Sequence, residues 1–386
     1  MSRARDIADL SSVSARLDTV GGSEGALSNR NIIINGAMQV WQRGTSTTTV
    51  TSGTYETVDR FKFWESTDGA YTIEQSTDVP SGKGFAHSVK LAVTTADTSL
   101  GASQYSQFAQ RIEAFNVQQL AYGTSEAKTV TVSFWIKSNK TGSYGFNLFK
   151  NAAGNTGYIY HKSFSIDAAD TWEKKIITVT PTAGSTSFIT SSGGAIDPAS
   201  TSGLEVYFNL AMGSTFSGAT DDSWSSDTND YNVSGNVNWM DSTSNNLYIT
   251  GVQLEVGDTA TDFEHRSFGD ELVKCERYFQ TYSKRNWQGT NEHSGNYKMY
   301  LDGVFRQKMR AAPTATFVGT VTIGRPQVGV SQRPDSIGGL STEGFQDCGW
   351  PSSGTYGGSL GTHGDAYYRM AVGDGPTNRI DFDAEL

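Results

Sequence analysis

Residues 130–138 read Val-Thr-Val-Ser-Phe-Trp-Ile-Lys-Ser. Val130, Val132, Phe134 and Ile136 share one parity; Thr131, Ser133 and Trp135 share the other. Successive side chains of a strand point to opposite faces, so this stretch reads as a strand with one face in a core. The same period recurs outward from it. Leu204, Val206, Phe208 and Leu210 alternate with Glu205, Tyr207 and Asn209, and Ile32, Ile34, Met38 and Val40 share one parity. Turn clusters at Ser81-Gly82-Lys83-Gly84, 151–157 and 191–194 separate such runs. Many short strands with no long helix between them predict an antiparallel sandwich rather than a parallel sheet.

Three segments break the simple alternation. In 247–256, Leu247 and Ile249 are apolar at odd positions but Val252, Leu254 and Val256 at even ones. A one-residue slip reverses the faces, so a β-bulge is expected at Gly251. Tyr105, Phe108, Ile112 and Phe115 are spaced more like a helix, and 104–121 is read as a strand running into a short helix near 117–121. Ser267 precedes Asp270 by three, a capping-box spacing, and Phe268, Leu272, Cys275 and Phe279 form one stripe. These predict a helix over 267–282, with Cys275 as a packed apolar residue.

The ends differ from the middle. Ile7, Leu10, Val13, Leu17 and Val20 recur at helical spacing, and Gly21, Gly22 and Gly25 follow as a joint. A lone helix of this length is marginal in water, so its stripe needs a partner. It is expected to anchor or oligomerise the chain. Beyond Tyr282, strand-like runs occupy 298–310, 315–323, 367–372 and 379–386. The expected organisation is a helix and joint (1–28), a sandwich (29–266), a linking helix (267–282) and a smaller β domain (283–386).

Composition excludes several classes. The 386 residues carry 30 basic and 40 acidic side chains, a net of −10, with no basic block, which disfavours nucleic acid. No apolar window spans a membrane, and the first residues lack a signal-peptide core. Two cysteines cannot build a disulfide framework or a four-sulfur zinc site. Glycine, at 42 residues, is abundant while only 18% of residues are charged, so Ser, Thr, Asn and Gln fill the surface of what reads as an all-β structural or recognition protein.

Several blocks resemble a module of bacteriophage tail fibres and related virion appendages. They are Asn31-Ile-Ile-Ile-Asn-Gly-Ala-Met38 with Trp41-Gln-Arg-Gly-Thr45, Asp59-Arg-Phe61, Ser133-Phe-Trp-Ile-Lys-Ser138, Gly251-Val-Gln-Leu-Glu-Val-Gly257 and Phe263-Glu-His-Arg266. Cys275-Glu-Arg-Tyr-Phe279, Met309-Arg-Ala-Ala-Pro-Thr314 and Phe382-Asp-Ala-Glu-Leu386 continue the likeness. The resemblance implies an antiparallel jelly-roll β-sandwich of the carbohydrate-binding kind. It also implies a homotrimer made in the host cytoplasm and carried on the virion, attached through its N-terminal segment to other tail or capsid proteins. Its partner would be host cell-surface polysaccharide, with no nucleic acid and no membrane insertion. A capsid-bound head fibre or decoration protein, and a polysaccharide-degrading depolymerase, are the alternatives.

No catalytic set is expected. Ser23 and Ser359 sit in G-x-S-x-G matches without the strand-then-helix context of a nucleophile elbow. The five histidines form no H-E-x-x-H pair, and His265 is expected in a structural hydrogen-bond network. Asp221, Asp222, Asp227 and Asp230 are weak candidates for Ca²⁺, against a solvated acidic loop; no other cofactor is implied. Sugar stacking needs exposed rings, and the candidates are Trp224, Tyr231, Trp239, Trp287, Trp350 and Tyr356, each with core packing as its alternative. Arg306, Lys308 and Arg310 share one face of the expected 298–310 strand and suit anionic sugars, or equally a solvated face or a neighbouring chain's acids.

Overall fold

The computed structural model describes residues 29–47, 50, 53–151, 156–199, 201–226, 229–283, 286–293, 297–319, 321–324, 331–332, 336–338, 340–349, 366–372 and 378–386. For strands within 286–302, 321–338, 345–349 and 366–372 it describes the backbone alone. The expected N-terminal helix, with Ile7, Leu10, Val13, Leu17 and Val20, lies outside the described residues. The described chain forms two compact units, one ending at Phe268 (with Leu386) and one covering Gly269–Glu385.

The strands of the first unit are β1 (Ser46–Thr47), β2 (Phe61–Glu65), β3 (Ala70–Ser76), β4 (Ser88–Thr95), β5 (Tyr105–Glu113), β6 (Val130–Ser138) and β7 (Gly142–Lys150). They continue as β8 (Tyr158–Ile166), β9 (Glu173–Val179), β10 (Ser202–Met212), β11 (Ser217–Ala219), β12 (Ser223–Ser225), β13 (Asn232–Val233) and β14 (Asn246–Val256). Two six-stranded sheets result. Sheet I has the order β1-β3-β4-β14-β6-β9, and sheet II the order β12-β8-β7-β10-β5-β2. Within them β4 pairs with β14, β5 with β10, β6 with β9 and β7 with β8, all antiparallel. The second half of the chain thus retraces the first as a long hairpin rolled across two sheets. This is the strand order of a jelly roll.

The alternation read from the sequence builds the core. Val130, Val132, Phe134 and Ile136 of β6 and Leu204, Val206, Phe208 and Leu210 of β10 are all buried. Phe208 is the centre, with ring centroids 4.9 Å from Phe108, 5.0 Å from Phe134 across the sandwich and 5.9 Å from Phe146. Edge-to-face and offset contacts of this kind add to the area they bury. The 104–121 segment is strand β5 followed by a 3-10 helix, Ala114–Leu120.

β14 carries the bulge at Gly251. Its register with β6 slips between Thr250 and Gln253, and Gly251 has φ +63. Leu247 and Ile249 face the core before the slip, Val252 and Leu254 after it. The 31–40 segment departs from its expected strand. Asn35 and Met38 take positive φ, and Ile33 rather than Ile32 or Ile34 is fully buried. Its backbone is spent on β14 instead: Ile32 N donates to Leu254 O at 2.9 Å and Val252 N to Gly36 O at 2.9 Å. Asn31 completes the seam, its Nδ2 donating to Val252 O and its Oδ1 accepting from Leu254 N.

Two buried side chains fasten this irregular plug. Asn35 accepts from Gln39 N and Val40 N and donates to Val40 O and Asp59 O. Asp59 accepts from Gln42 N at 2.8 Å and from Arg43 at 3.0 Å. Burial pushes the Asp59 carboxyl up to about 6, although Arg43 and the Gln42 N–H pull the other way.

In the second unit a helix, α1 (Phe268–Glu276), precedes ten strands among the described residues. The expected 267–282 helix is therefore cut short. Phe279–Tyr282 is a strand, β15, because Phe-Gln-Thr-Tyr is β-forming and because Gln280 Nε2 takes the freed carbonyl of Glu276 at 2.9 Å. β15 joins a three-stranded sheet with β18 (Thr314–Val318) and β24 (Arg379–Asp383). Cys275 is buried, as its place on the apolar stripe predicts. The remaining strands, β16 (Asn286–His293), β17 (Tyr297–Val304), β19 (Val321–Gly324), β20 (Ser331–Gln332), β21 (Ser336–Gly338), β22 (Gly344–Gly349) and β23 (Ala366–Val372), form a seven-stranded sheet. The expected 315–323 run is broken at Gly319, φ +70, into strands of different sheets.

A Cβ at Gly36 would lie 2.0 Å from the carbonyl oxygen of Val252. Gly36→Ala must shift the backbone and is expected to cost about 3 kcal/mol, read by urea denaturation of the full chain. Asp59 gives a pH signature. Its folded value lies above the ordinary 3.8, so its stabilising share is full below about pH 4 and is lost as pH rises through about 6. Asp59→Asn is expected to remove that part of the slope in stability against pH; an unchanged slope would contradict the buried, raised carboxyl.

Candidate functional site

The outer face of sheet I carries the features a ligand needs. Register places Tyr248 beside Lys137, and Thr250, Trp135 and Lys174 in one row across β14, β6 and β9. Gly251 follows Thr250 directly. A Cβ there would lie 2.6 Å from the Phe85 ring and 3.1 Å from the Trp135 ring, so the bulge allows both aromatics to close over the backbone.

The chain leaving β14 folds back over this face. Gln253 and Glu255 point outward yet are buried, because they hold that segment down. Glu255 accepts from Thr261 N at 2.9 Å and Thr261 Oγ1 at 2.7 Å, and Gln253 Oε1 accepts from Glu264 N at 2.8 Å. Glu264 in turn accepts from Asn31 N at 2.9 Å and lies 3.3 Å from Arg266, which donates to the carbonyls of Ile33 and Asn31. Burial raises the Glu264 carboxyl, but the Asn31 N–H and the Arg266 charge outweigh it and hold it below the usual value. The clamp leaves Asp262, Phe263 and His265 at the rim.

The result is a cleft of about 350 Å³. Trp135, Phe85, Phe263 and His265 supply its rings, Lys83, Lys174, Asp262 and Ser133 its polar groups, and the Gly251 bulge its floor. Phe85, Phe263 and His265 pack mutually, with centroids 4.9–5.2 Å apart. His265 Nε2 lies 3.2 Å from Lys83 O, and Lys83 Nζ sits 5.6 Å from the Trp135 centroid. Glu264 and Arg266 carry the structural network expected of this stretch, while His265 is exposed on the cleft. Farther along the same face, Lys137 lies 4.3 Å from the Tyr248 ring and pairs with Asp78, which also accepts from Trp172 Nε1 at 3.0 Å. Burial opposes it, yet the Lys137 and Trp172 bonds hold the Asp78 carboxyl below its ordinary value.

The expected site residues fall elsewhere. Trp224 and Trp239 are 2% and 0% exposed and cannot stack on a sugar. Trp224 donates to Thr180 O at 2.9 Å and packs on Tyr160, and Trp239 packs edge-on against Tyr71. Tyr231 is half-buried against Tyr207 and Phe216. Trp287 is described only in its β16 backbone, and Trp350, Tyr356, Ser23 and Ser359 lie outside the described residues. Arg306, Lys308 and Arg310 do not share a strand face, since β17 ends at Val304. Arg306 bonds Glu276 at 2.6 Å and lies over the Tyr282 ring, Lys308 bonds Glu343 at 2.9 Å, and Arg310 donates to Ala384 O and Glu385 O.

The acidic cluster is likewise engaged. Asp221 accepts from Ser163 N and pairs with Lys162, Asp222 accepts from Tyr160 Oη, and Asp227 lies outside the described residues. Among the described residues no three His, Cys, Asp or Glu side chains are grouped to hold a metal ion. The residues sequence reasoning missed are Trp135, Phe85, Phe263, Lys83 and Lys174. One signal was present: a tryptophan on the outward parity of a strand whose other outward residues are Thr131, Ser133 and Lys137.

No protein-family model matches the chain, and no curated protein does. Among solved structures it is similar to the enzymatically active domain of tailspike protein 4 of bacteriophage CBA120, at 14% identity and a TM-score of 0.29, covering 59% of this chain and 21% of that one. It is similar to the family 11 carbohydrate-binding module of Clostridium thermocellum in complex with a β-1,3-1,4-mixed-linked tetrasaccharide, at 10% identity and a TM-score of 0.26, covering 57% and 99%. It is also similar to an exo-β-agarase, at 12% identity and a TM-score of 0.28, covering 76% and 42%. The chain thus spans about a fifth of the tailspike domain.

Proposed function

We propose that this chain binds glycan, without cleaving it, in the cleft at the Gly251 bulge. The observation that carries the reading is Trp135, half-buried on a sheet face and ringed by hydrogen-bonding groups. A pyranose presents an apolar C–H face to a ring, and its hydroxyls need a few fixed polar partners; Asp262, Lys174 and His265 supply them. The volume, about 350 Å³, suits one or two sugar rings. Asp262 is the one carboxylate among the lining residues, whereas glycoside hydrolysis ordinarily uses two, which supports binding over catalysis.

The blocks that resemble phage appendages support a role for this site in host attachment. Ser133–Ser138 supplies Trp135, Gly251–Gly257 the bulge, and Phe263–Arg266 the rim. On this reading the chain is a homotrimeric fibre of a virion, anchored through residues 1–28 and presenting its clefts to host-surface polysaccharide.

Two measurements test this. On an array of bacterial-surface glycans, Trp135→Ala is expected to weaken binding at least tenfold while leaving the denaturation midpoint nearly unchanged; retained binding would refute the cleft. Gold-labelled antibody to the chain is expected to decorate an appendage with threefold symmetry in electron micrographs of particles, and labelling absent from particles would refute the virion role.

A further inference from the structure

The cleft has a charge character that neutral-sugar binding does not require. Lysines elsewhere on this face are neutralised: Lys90 pairs with Glu74 at 3.1 Å and Lys137 with Asp78. Lys83 and Lys174 are not. Lys83 places its ammonium over Trp135, and the one polar contact of Lys174 is Thr261 O at 3.5 Å. Lys174 stands directly across the β6–β9 ladder from Trp135, so its side chain neighbours that ring, and Lys83 approaches the ring from the 81–84 turn. Two ammonium groups without a carboxylate partner among the described residues therefore flank one stacking surface, in a chain of net charge −10. The acid at the rim, Asp262, is exposed and suits a sugar hydroxyl, which can donate to its carboxylate.

We propose that the cleft takes an acidic sugar unit, a pyranose bearing a carboxylate, with its C–H face on Trp135 and its carboxylate between Lys83 and Lys174. This rests on the glycan-binding reading above and narrows it to a substrate class. A charge-assisted bond to an ammonium is about twice as strong as a neutral one, and an anion here meets cations that nothing else on the face satisfies. The anion also draws the Lys83 ammonium off the ring, freeing the stacking surface as the sugar arrives.

The test is titration calorimetry of the full chain with uronic-acid and sialic-acid oligosaccharides, each against its carboxyl-reduced neutral counterpart. At least one acidic member is expected to bind tenfold or more tighter than its counterpart, with the advantage shrinking between 50 and 500 mM salt. Lys83→Gln and Lys174→Gln should each reduce that advantage at least threefold by weakening the acidic member more than its neutral counterpart, whereas Trp135→Ala should weaken both alike. Equal binding of acidic and neutral members, abolished by Trp135→Ala, would overturn the acidic preference and leave the glycan site standing. No binding by any member, or binding that Trp135→Ala does not weaken, would overturn both.

Discussion

A strand edge that loses its neighbour halfway along has to find new hydrogen bonds, because buried backbone groups are costly to leave unpaired. That is the position of β14. It pairs with β4 only over Asn246–Ile249, then bulges at Gly251. Past the bulge the edge is completed by Ile32, Gly36 and Asn31. The opening segment of the domain is thereby bound to its last strand, and Glu264 and Arg266 bring the departing chain to the same place. Shape follows from that closure. The bulge lets Phe85 and Trp135 approach, and the returning segment raises a wall beside them.

The two outer faces of the sandwich have different fates. On sheet II the outward residues at the centre are sealed. Asn209 donates to Asn147 at 2.7 Å and to Tyr231 O at 2.6 Å, and Asn147 lies 3.1 Å from His161. Glu205, 1% exposed, is surrounded by Arg111, Asn151, Ser202 and Tyr207. A buried carboxylate survives only when such partners repay its desolvation, so the centre of this face is committed to structure. On sheet I the 257–266 segment covers one end and leaves the row through Trp135 accessible. Rings that pack on a covered face are unavailable to a ligand however aromatic the stretch, which is why Trp224 and Trp239 belong to the core.

Alternation in the sequence was a reliable guide wherever a strand had one buried face. It identified β6 and β10, and its reversal across Gly251 located the bulge, because the parity of a strand is a local property. It misled at 31–40, where the apolar parity of Ile32 and Ile34 belongs to a plug whose hydrogen bonds go more than 200 residues away. It was also silent about the outward parity. Ser133 and Trp135 share a face, yet Ser133 is buried and Trp135 only half-buried. That difference is set by a fold-back of the chain held by Gln253 and Glu255, two residues that read as ordinary solvent-facing polar positions. The basic residues at 306, 308 and 310 misled for a related reason, since alternating burial continues at Phe305 and Met309 after the strand has ended.

The cleft also bears on how attachment would work. One stacked ring contributes about 1 kcal/mol beyond the area it buries, and a site of this size engages few hydroxyls. A single cleft of that kind would hold a sugar in the millimolar to high micromolar range. On the proposed function, retention of a particle would depend on several clefts acting together on one polymer, where linkage raises the effective concentration of each further contact. Weak sites suit that arrangement. Each contact can break and re-form while others hold, and the low share of charged side chains, 18%, limits the penalty of laying identical chains side by side. Lys83 and Lys174, without a carboxylate partner among the described residues, are the exception to that economy, and they stand beside the half-buried Trp135, where a ligand rather than another chain would meet them.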